Sequence, residues 1–177
     1  MVTVLNNFIS DQDITLGLQI LSSNSLMPFK DNPAAKVAPE SIFIKDMLSR
    51  YSAKATAAHQ EIYKTKSKVY TVEGFLTRWD VGSSALPHTD NHHGYEFLEY
   101  STVIYLNDDF EGGEIYFPNL DFTYKPNKGD AVLFPCNDIT YLHGVKETTS
   151  GTRYTLAMWH TRDIDKASKD IYPQINL

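Results

Sequence analysis

Between residues 68 and 160 the chain is cut into short strand-like runs, and this texture limits the folds open to it. Val69–Asp80, Ser101–Asn107, Gly113–Phe117, Asp121–Tyr124, Ala131–Phe134, Gly144–Glu147 and Arg153–His160 are each rich in β-branched and aromatic residues. Turn formers separate them: Asp108-Asp109 through Gly112-Gly113, Pro126 to Gly129, and Thr148 to Gly151. Two helical patterns come first, after a short strand at Thr3–Phe8. Ser10 or Asp11 is placed to cap a helix carrying Ile14, Leu18 and Leu21 at helical spacing. A polar, proline-marked connection covers residues 27–39, and Pro39 and Glu40 suit the first turn of a longer helix. Its apolar face is Ile44, Met47, Leu48, Tyr51, Ala55, Ala58 and Ile62, a stripe suited to packing on a sheet. Two helices followed by seven or eight strands predict a mainly β fold, a jelly-roll of two sheets buttressed by N-terminal helices. The expected organisation is one domain over 1–177. Residues 1–67 form a helical support, 68–162 the jelly-roll core, and 163–177 a frayed or weakly helical tail.

The bulk properties remove several function classes. With 42% apolar residues the chain can bury a core, so disorder is excluded. A net charge of -6 disfavours a nucleic-acid backbone as partner. The lone Cys136, beside Phe134-Pro135, permits no internal disulfide and suits a reducing compartment. No run approaches the ~18 consecutive apolar residues of a membrane span. The opening MVTVLNNFISDQD turns acidic too early for a signal peptide. A soluble, cytoplasmic protein is expected.

The chemistry concentrates in Pro87-His88-Thr89-Asp90, read together with His143 and Arg153. His88 and Asp90, at i and i+2, would share one side of an extended strand. His143 follows after 52 intervening residues, next to a strand start at Gly144, and Arg153 lies ten residues beyond it. A lone HxD triplet recurs by chance, and most histidines are surface or core residues. The ordered set is more specific, because two imidazoles and one carboxylate form the donor set of a facial-triad iron(II) oxygenase site. A guanidinium downstream suits the far end of a dicarboxylate ligand. Alternation places Arg153, Thr155, Ala157 and Trp159 on one strand face.

Four blocks in order extend the pattern: PHTD, STVIYLNDDFEGGEIYFP, KPNKGDAVLFP and HGVKETTSGTRYTLAMW. Through them, the run from Arg78 to Trp159 resembles the catalytic core of the prolyl 4-hydroxylases, within the Fe(II)- and 2-oxoglutarate-dependent dioxygenases. The resemblance implies a cupin-like double-stranded β-helix. It implies that His88, Asp90 and His143 ligate Fe(II), and that Arg153 and Tyr105 hold the distal carboxylate of 2-oxoglutarate. It also implies a reaction in which dioxygen converts 2-oxoglutarate to succinate and carbon dioxide while a substrate is hydroxylated, with ascorbate as helper. Trp79 departs from the tyrosine that relatives carry there; it keeps an aromatic wall and an N–H but cannot accept a hydrogen bond. Trp159 is expected as a second wall. Gly112, Gly113 and Gly129 suit turns.

The substrate end is less constrained. The resemblance implies a prolyl residue in a peptide or protein, handled by a compact form of the enzyme without preceding domains. A free amino acid or another side chain is the alternative, and a metal-holding jelly-roll without turnover is the reading from another class. In the loop after Asp90, Tyr95 and Phe97 either stack on a substrate ring or pin the loop to the barrel. His92 and His93 fit an exposed polar loop better than a second metal site. Residues 69–84 are expected to contribute to the substrate groove as a mobile lid.

Overall fold

The computed structural model describes residues 1–23, 25–29, 32 and 34–173. Along the chain run β1 (Thr3–Leu5), α1 (Asp11–Leu21), β2 (Met27–Pro28), β3 (Ala35–Val37), α2 (Ile42–Ile62), β4 (Tyr70–Trp79), β5 (Ala85–His88), β6 (Tyr100–Tyr105), β7 (Glu111–Gly112), β8 (Ile115–Phe117), β9 (Phe122–Tyr124), β10 (Ala131–Pro135), β11 (His143–Val145), β12 (Thr148–Ser150) and β13 (Arg153–Thr161). The large sheet has the order β1-β10-β6-β13-β4-β3-β2, and a smaller one the order β5-β11-β8-β9. A separate ribbon pairs β7 with β12. This is the mainly β jelly-roll with two supporting helices that the strand texture implies.

Both helices start where short polar side chains can bond the backbone N–H groups left open at a helix start. Ser10 caps α1 by accepting from the Asp13 amide, and Ser41 caps α2 by accepting from the Ile44 amide. Pro39 and Glu40 therefore lie before α2 rather than in its first turn, because Ser41 outcompetes them as the cap. The back of the large sheet meets the helices in one apolar layer. Ile104, Leu156 and Met158 from the sheet pack with Ile44, Met47, Leu48 and Tyr51 of α2. Each fully buried aliphatic contributes roughly 1.5–3 kcal/mol relative to exposure. A second apolar cluster lies on the other side of the sheet and includes Tyr105, Ile115, Phe117, Val132 and Phe134.

Several local expectations change. The connection over 27–39 contains a hairpin, β2–β3, added to the edge of the large sheet through β4. The first 67 residues thus supply three strands besides both helices. Thr148–Ser150 is a strand rather than a turn, because it finds β7 as partner. Residues 70–79 are no lid: β4 is laddered to β13 on one side and β3 on the other. After Arg162 the chain makes a short 3-10 helix at Ile164–Lys166, in line with the weakly helical expectation. It is anchored rather than frayed as far as Tyr172, whose hydroxyl meets Ser52 Oγ at 2.8 Å and accepts from the Thr71 amide at 3.1 Å. The expectation for the last four residues, 174–177, falls outside the described residues. Gly112, Gly113 and Gly129 have positive φ, as turns require. Among the described residues no helix is long and apolar enough to cross a membrane.

Candidate active site

The strand register assembles the site. His88 and His143 are direct partners across β5 and β11, which brings their ring centroids within 4.6 Å. Asp90 lies beyond the end of β5 rather than on it, so the expected i, i+2 placement on one strand gives way to a loop position. Its Oδ1 is 3.5 Å from His88 Nε2 and its Oδ2 is 3.7 Å from His143 Nε2. His88 Nδ1 lies 2.7 Å from the Leu86 carbonyl, and His143 Nδ1 lies 3.2 Å from the Tyr141 carbonyl. A carbonyl only accepts, so both Nδ1 atoms carry hydrogen and both Nε2 lone pairs face Asp90 when the rings are neutral. One ligand atom from each of the three residues lies within 4.8 Å of the others, a spacing that could hold a metal ion.

Electrostatics favour the metal-binding form at Asp90 and His143 and the protonated form at His88. Burial alone would raise the Asp90 carboxyl, but His143, His88 and the Ser101 hydroxyl outweigh it and hold the pKa at about 2. His143 is pushed below its ordinary value by burial, while Asp90 outweighs burial at His88 and raises it. Once His88 releases its proton, the set offers one carboxylate and two nitrogen donors at the edge of a cavity of about 500 Å³. That donor chemistry fits Fe(II).

The floor and wall of the cavity come from alternate residues of the large sheet. Arg153, Thr155, Ala157 and Trp159 of β13 stand opposite Trp79, Thr77, Phe75 and Glu73 of β4. Arg153 is only 2% exposed, and its Nε has no hydrogen-bond partner. Its guanidinium carbon sits 5.1 Å from the ring centroids of both Trp79 and Tyr105, and one Nη donates to the Tyr105 hydroxyl at 3.4 Å. Among the described residues its hydrogen bond is the one to Tyr105, and no ion pair with a carboxylate is found. A guanidinium taken out of water without an anion is costly, so the arrangement fits an anionic ligand.

Thr77 and Thr155 add a donor beside Arg153. Their hydroxyl oxygens are 2.6 Å apart, and Trp79 Nε1 donates to Thr77 Oγ1 at 3.1 Å. Two hydroxyls carry two hydrogens, and one is used between them. The other has no acceptor among the described protein atoms, whichever threonine holds it, and both side chains line the cavity. Trp79 and Trp159 both line the cavity, and Trp159 is joined by Phe29 of the unforeseen hairpin, stacked at 6.2 Å.

Asn91 shapes the entrance loop by donating to the carbonyls of Glu96 and Leu98. This brings His92 and Tyr95 to the cavity, whereas Phe97 packs into the apolar cluster between the sheets and pins the loop. His93 is exposed and meets Glu96. Sequence reasoning passed over Ser101, Thr77 and Phe29. Alternation along β4 from Trp79 would have found Thr77, but Phe29 comes from a hairpin with no periodic signal.

The sequence profile of the 2OG-Fe(II) oxygenase superfamily matches residues 48–161. The chain is similar to prolyl 3-hydroxylase 1 of Gallus gallus, at 43% identity over 74 residues, 39% of this chain and 10% of that protein. It spans about a tenth of the length of the curated relatives it matches. Among solved structures, the viral collagen prolyl hydroxylase of Paramecium Bursaria Chlorella virus-1, in its 2OG complex, aligns with a TM-score of 0.70 at 18% identity, over 90% of this chain and 94% of that one. A Pseudomonas putida prolyl-4-hydroxylase aligns with a TM-score of 0.70 at 15% identity, over 92% of each chain. At these identities the two structures bear on the fold.

Proposed function

This chain belongs to the 2OG-Fe(II) oxygenase superfamily, and from that premise we propose that it hydroxylates a prolyl residue of a peptide or protein. Fe(II) would be held by His88, Asp90 and His143, and 2-oxoglutarate by Arg153 with Tyr105. When bound, iron, 2-oxoglutarate and dioxygen supply the oxidation, which yields succinate and carbon dioxide as one oxygen atom is placed on the substrate. The protein's part is binding, orientation and exclusion of water. Arg153 anchors the distal carboxylate, and the spare hydroxyl hydrogen of Thr77–Thr155 lies beside it. Trp159 and Phe29 offer an apolar wall on which a prolyl ring can pack, and Tyr95 stands at the entrance. Ascorbate would keep the metal reduced, and a cytoplasmic setting suits the single buried Cys136.

The observation that carries this reading is Arg153, a buried cation without an ion-pair partner among the described residues, in one cavity with two imidazoles and a carboxylate. A module that only held metal would have no use for that cation. The sequence blocks carry an expectation of hydroxylation at ring carbon 4. The sequence relatives named prolyl 3-hydroxylases favour ring carbon 3 as the second reading. The test is succinate release by the purified protein with Fe(II), 2-oxoglutarate, ascorbate and proline-rich peptides, with the product located by mass spectrometry and NMR. Peptide that gains one oxygen on proline, in step with succinate, supports the proposal and separates the two positions. Succinate formed only with a non-prolyl substrate moves the assignment to the alternative. Bound iron and 2-oxoglutarate with no succinate across the panel would favour the binding module.

A further inference from the structure

We propose that Ser101 is a positioning residue for the metal centre, its hydroxyl claiming one Asp90 oxygen so that the carboxylate meets the metal through the other. The inference rests on reading His88, Asp90 and His143 as the iron site. Asp90 stands past the end of β5, so no strand ladder holds it, and a carboxylate can rotate to offer one oxygen or two. Ser101 Oγ donates to Asp90 Oδ2, and it is the one hydrogen-bond donor to that carboxylate among the described residues, the two histidines lying 3.5 and 3.7 Å away. A carboxylate that turned both oxygens to the ion would fill a position that a facial three-ligand set must leave open for its second ligand. With Oδ2 committed to the serine, Oδ1, the oxygen beside His88 Nε2, is the one left for the metal.

Ser101 is itself rigidly mounted. It is the second residue of β6, paired with Phe134 of β10 on one side and Trp159 of β13 on the other. The next residue, Thr102, is held from behind, with Oγ1 at 2.8 Å from His59 Nε2 and 2.9 Å from His160 Nε2. The hydroxyl is thus carried by a central strand fixed on both faces, while its partner hangs on a loop. Second-sphere partners of this kind are worth about 10- to 100-fold in metal affinity.

The test is Co(II) titration of the full chain followed by visible absorption, with anaerobic Fe(II) competition. Ser101→Ala should bind Co(II) about 10-fold or more weakly. It should also show an altered cobalt band, and at saturating Co(II) it should bind 2-oxoglutarate more weakly because the released oxygen competes for the open position. Ser101→Thr, which keeps the hydroxyl, should restore affinity and spectrum. Thermal melting of the metal-free variants separates these effects from misfolding: Ser101→Ala should melt close to the parent. Affinity within twofold of the parent with an unchanged spectrum would overturn the inference while leaving the iron site intact. A parent protein that binds neither metal would overturn the site reading and the inference together.

Discussion

Arg153 is a guanidinium withdrawn from water, eased by two aromatic faces and one hydroxyl but, among the described residues, by no carboxylate. Such a residue strains the empty protein and repays only when an anion arrives. Arg153→Met should weaken 2-oxoglutarate about 100-fold or more, the scale of removing one partner of a buried charge pair, and leave metal affinity within a few-fold. The ligand-free variant should melt no lower than the parent, and calorimetry with thermal melting checks both parts. Changing both residues, Thr77→Val with Thr155→Val, tests the hydroxyl count with little change of volume, since either single change leaves one spare hydrogen. It removes one hydrogen bond to a charged group, so 2-oxoglutarate should bind about 10-fold more weakly. A 2-oxo acid lacking the distal carboxylate should bind both proteins alike; equal losses for the two acids would place the hydroxyl elsewhere.

At the scale of elements, the three donors meet because β11 runs between β5 and β8 in close contact with both. Gly144 makes that possible: a Cβ there would lie 2.7 Å from the Tyr116 ring and 2.8 Å from the Ala85 carbonyl. Gly144→Ala should therefore cost about 1–3 kcal/mol of stability and weaken metal binding by displacing His143 from His88, read by chemical denaturation and Co(II) titration. Parent-like values for both would mean that β11 and its neighbours give way freely. Legibility in the sequence followed the same physics. The stripe of α2 and the alternation of β13 were readable because periodicity reports burial directly. Asp90's place was not, since β5 ends where pairing with His143 ends, a fact about a strand 53 residues downstream of Asp90. The two-residue β2, with a proline in it, carries too few positions for any period, and Thr148–Ser150 is a strand only by virtue of β7. Ser101 and Thr77 look like ordinary strand residues until the register sets them beside Asp90 and Thr155.

For the molecule as a whole, the helical layer and the sheet are joined by a buried polar chain as well as by apolar packing. His59 of α2 meets Thr102, Thr102 meets His160, His160 meets Thr71 at 3.0 Å, Thr71 meets Ser52 at 2.6 Å, and Ser52 meets Tyr172. Both histidines are fully buried. Burial pushes the His59 pKa down to about 3, and burial with His59 as neighbour pushes His160 well below its ordinary value. In the unfolded chain both titrate near the ordinary 6.5. As pH falls below that value the unfolded state takes up protons that the native state refuses, so stability declines with falling pH. For His59 the decline runs from about 6.5 to about 3. Each histidine contributes a slope approaching ~1.4 kcal/mol per pH unit inside its window. His88, with its raised pKa, acts in the opposite sense, so the informative quantity is a difference between two proteins. His59→Gln keeps a polar partner for Thr102 but cannot titrate. Urea denaturation of the metal-free parent and this variant between pH 7 and pH 5 should show the parent losing stability faster, by about one histidine's slope at the acid end. Parallel curves would mean that His59 accepts its proton in the folded state and that the helix–sheet joint is open to water.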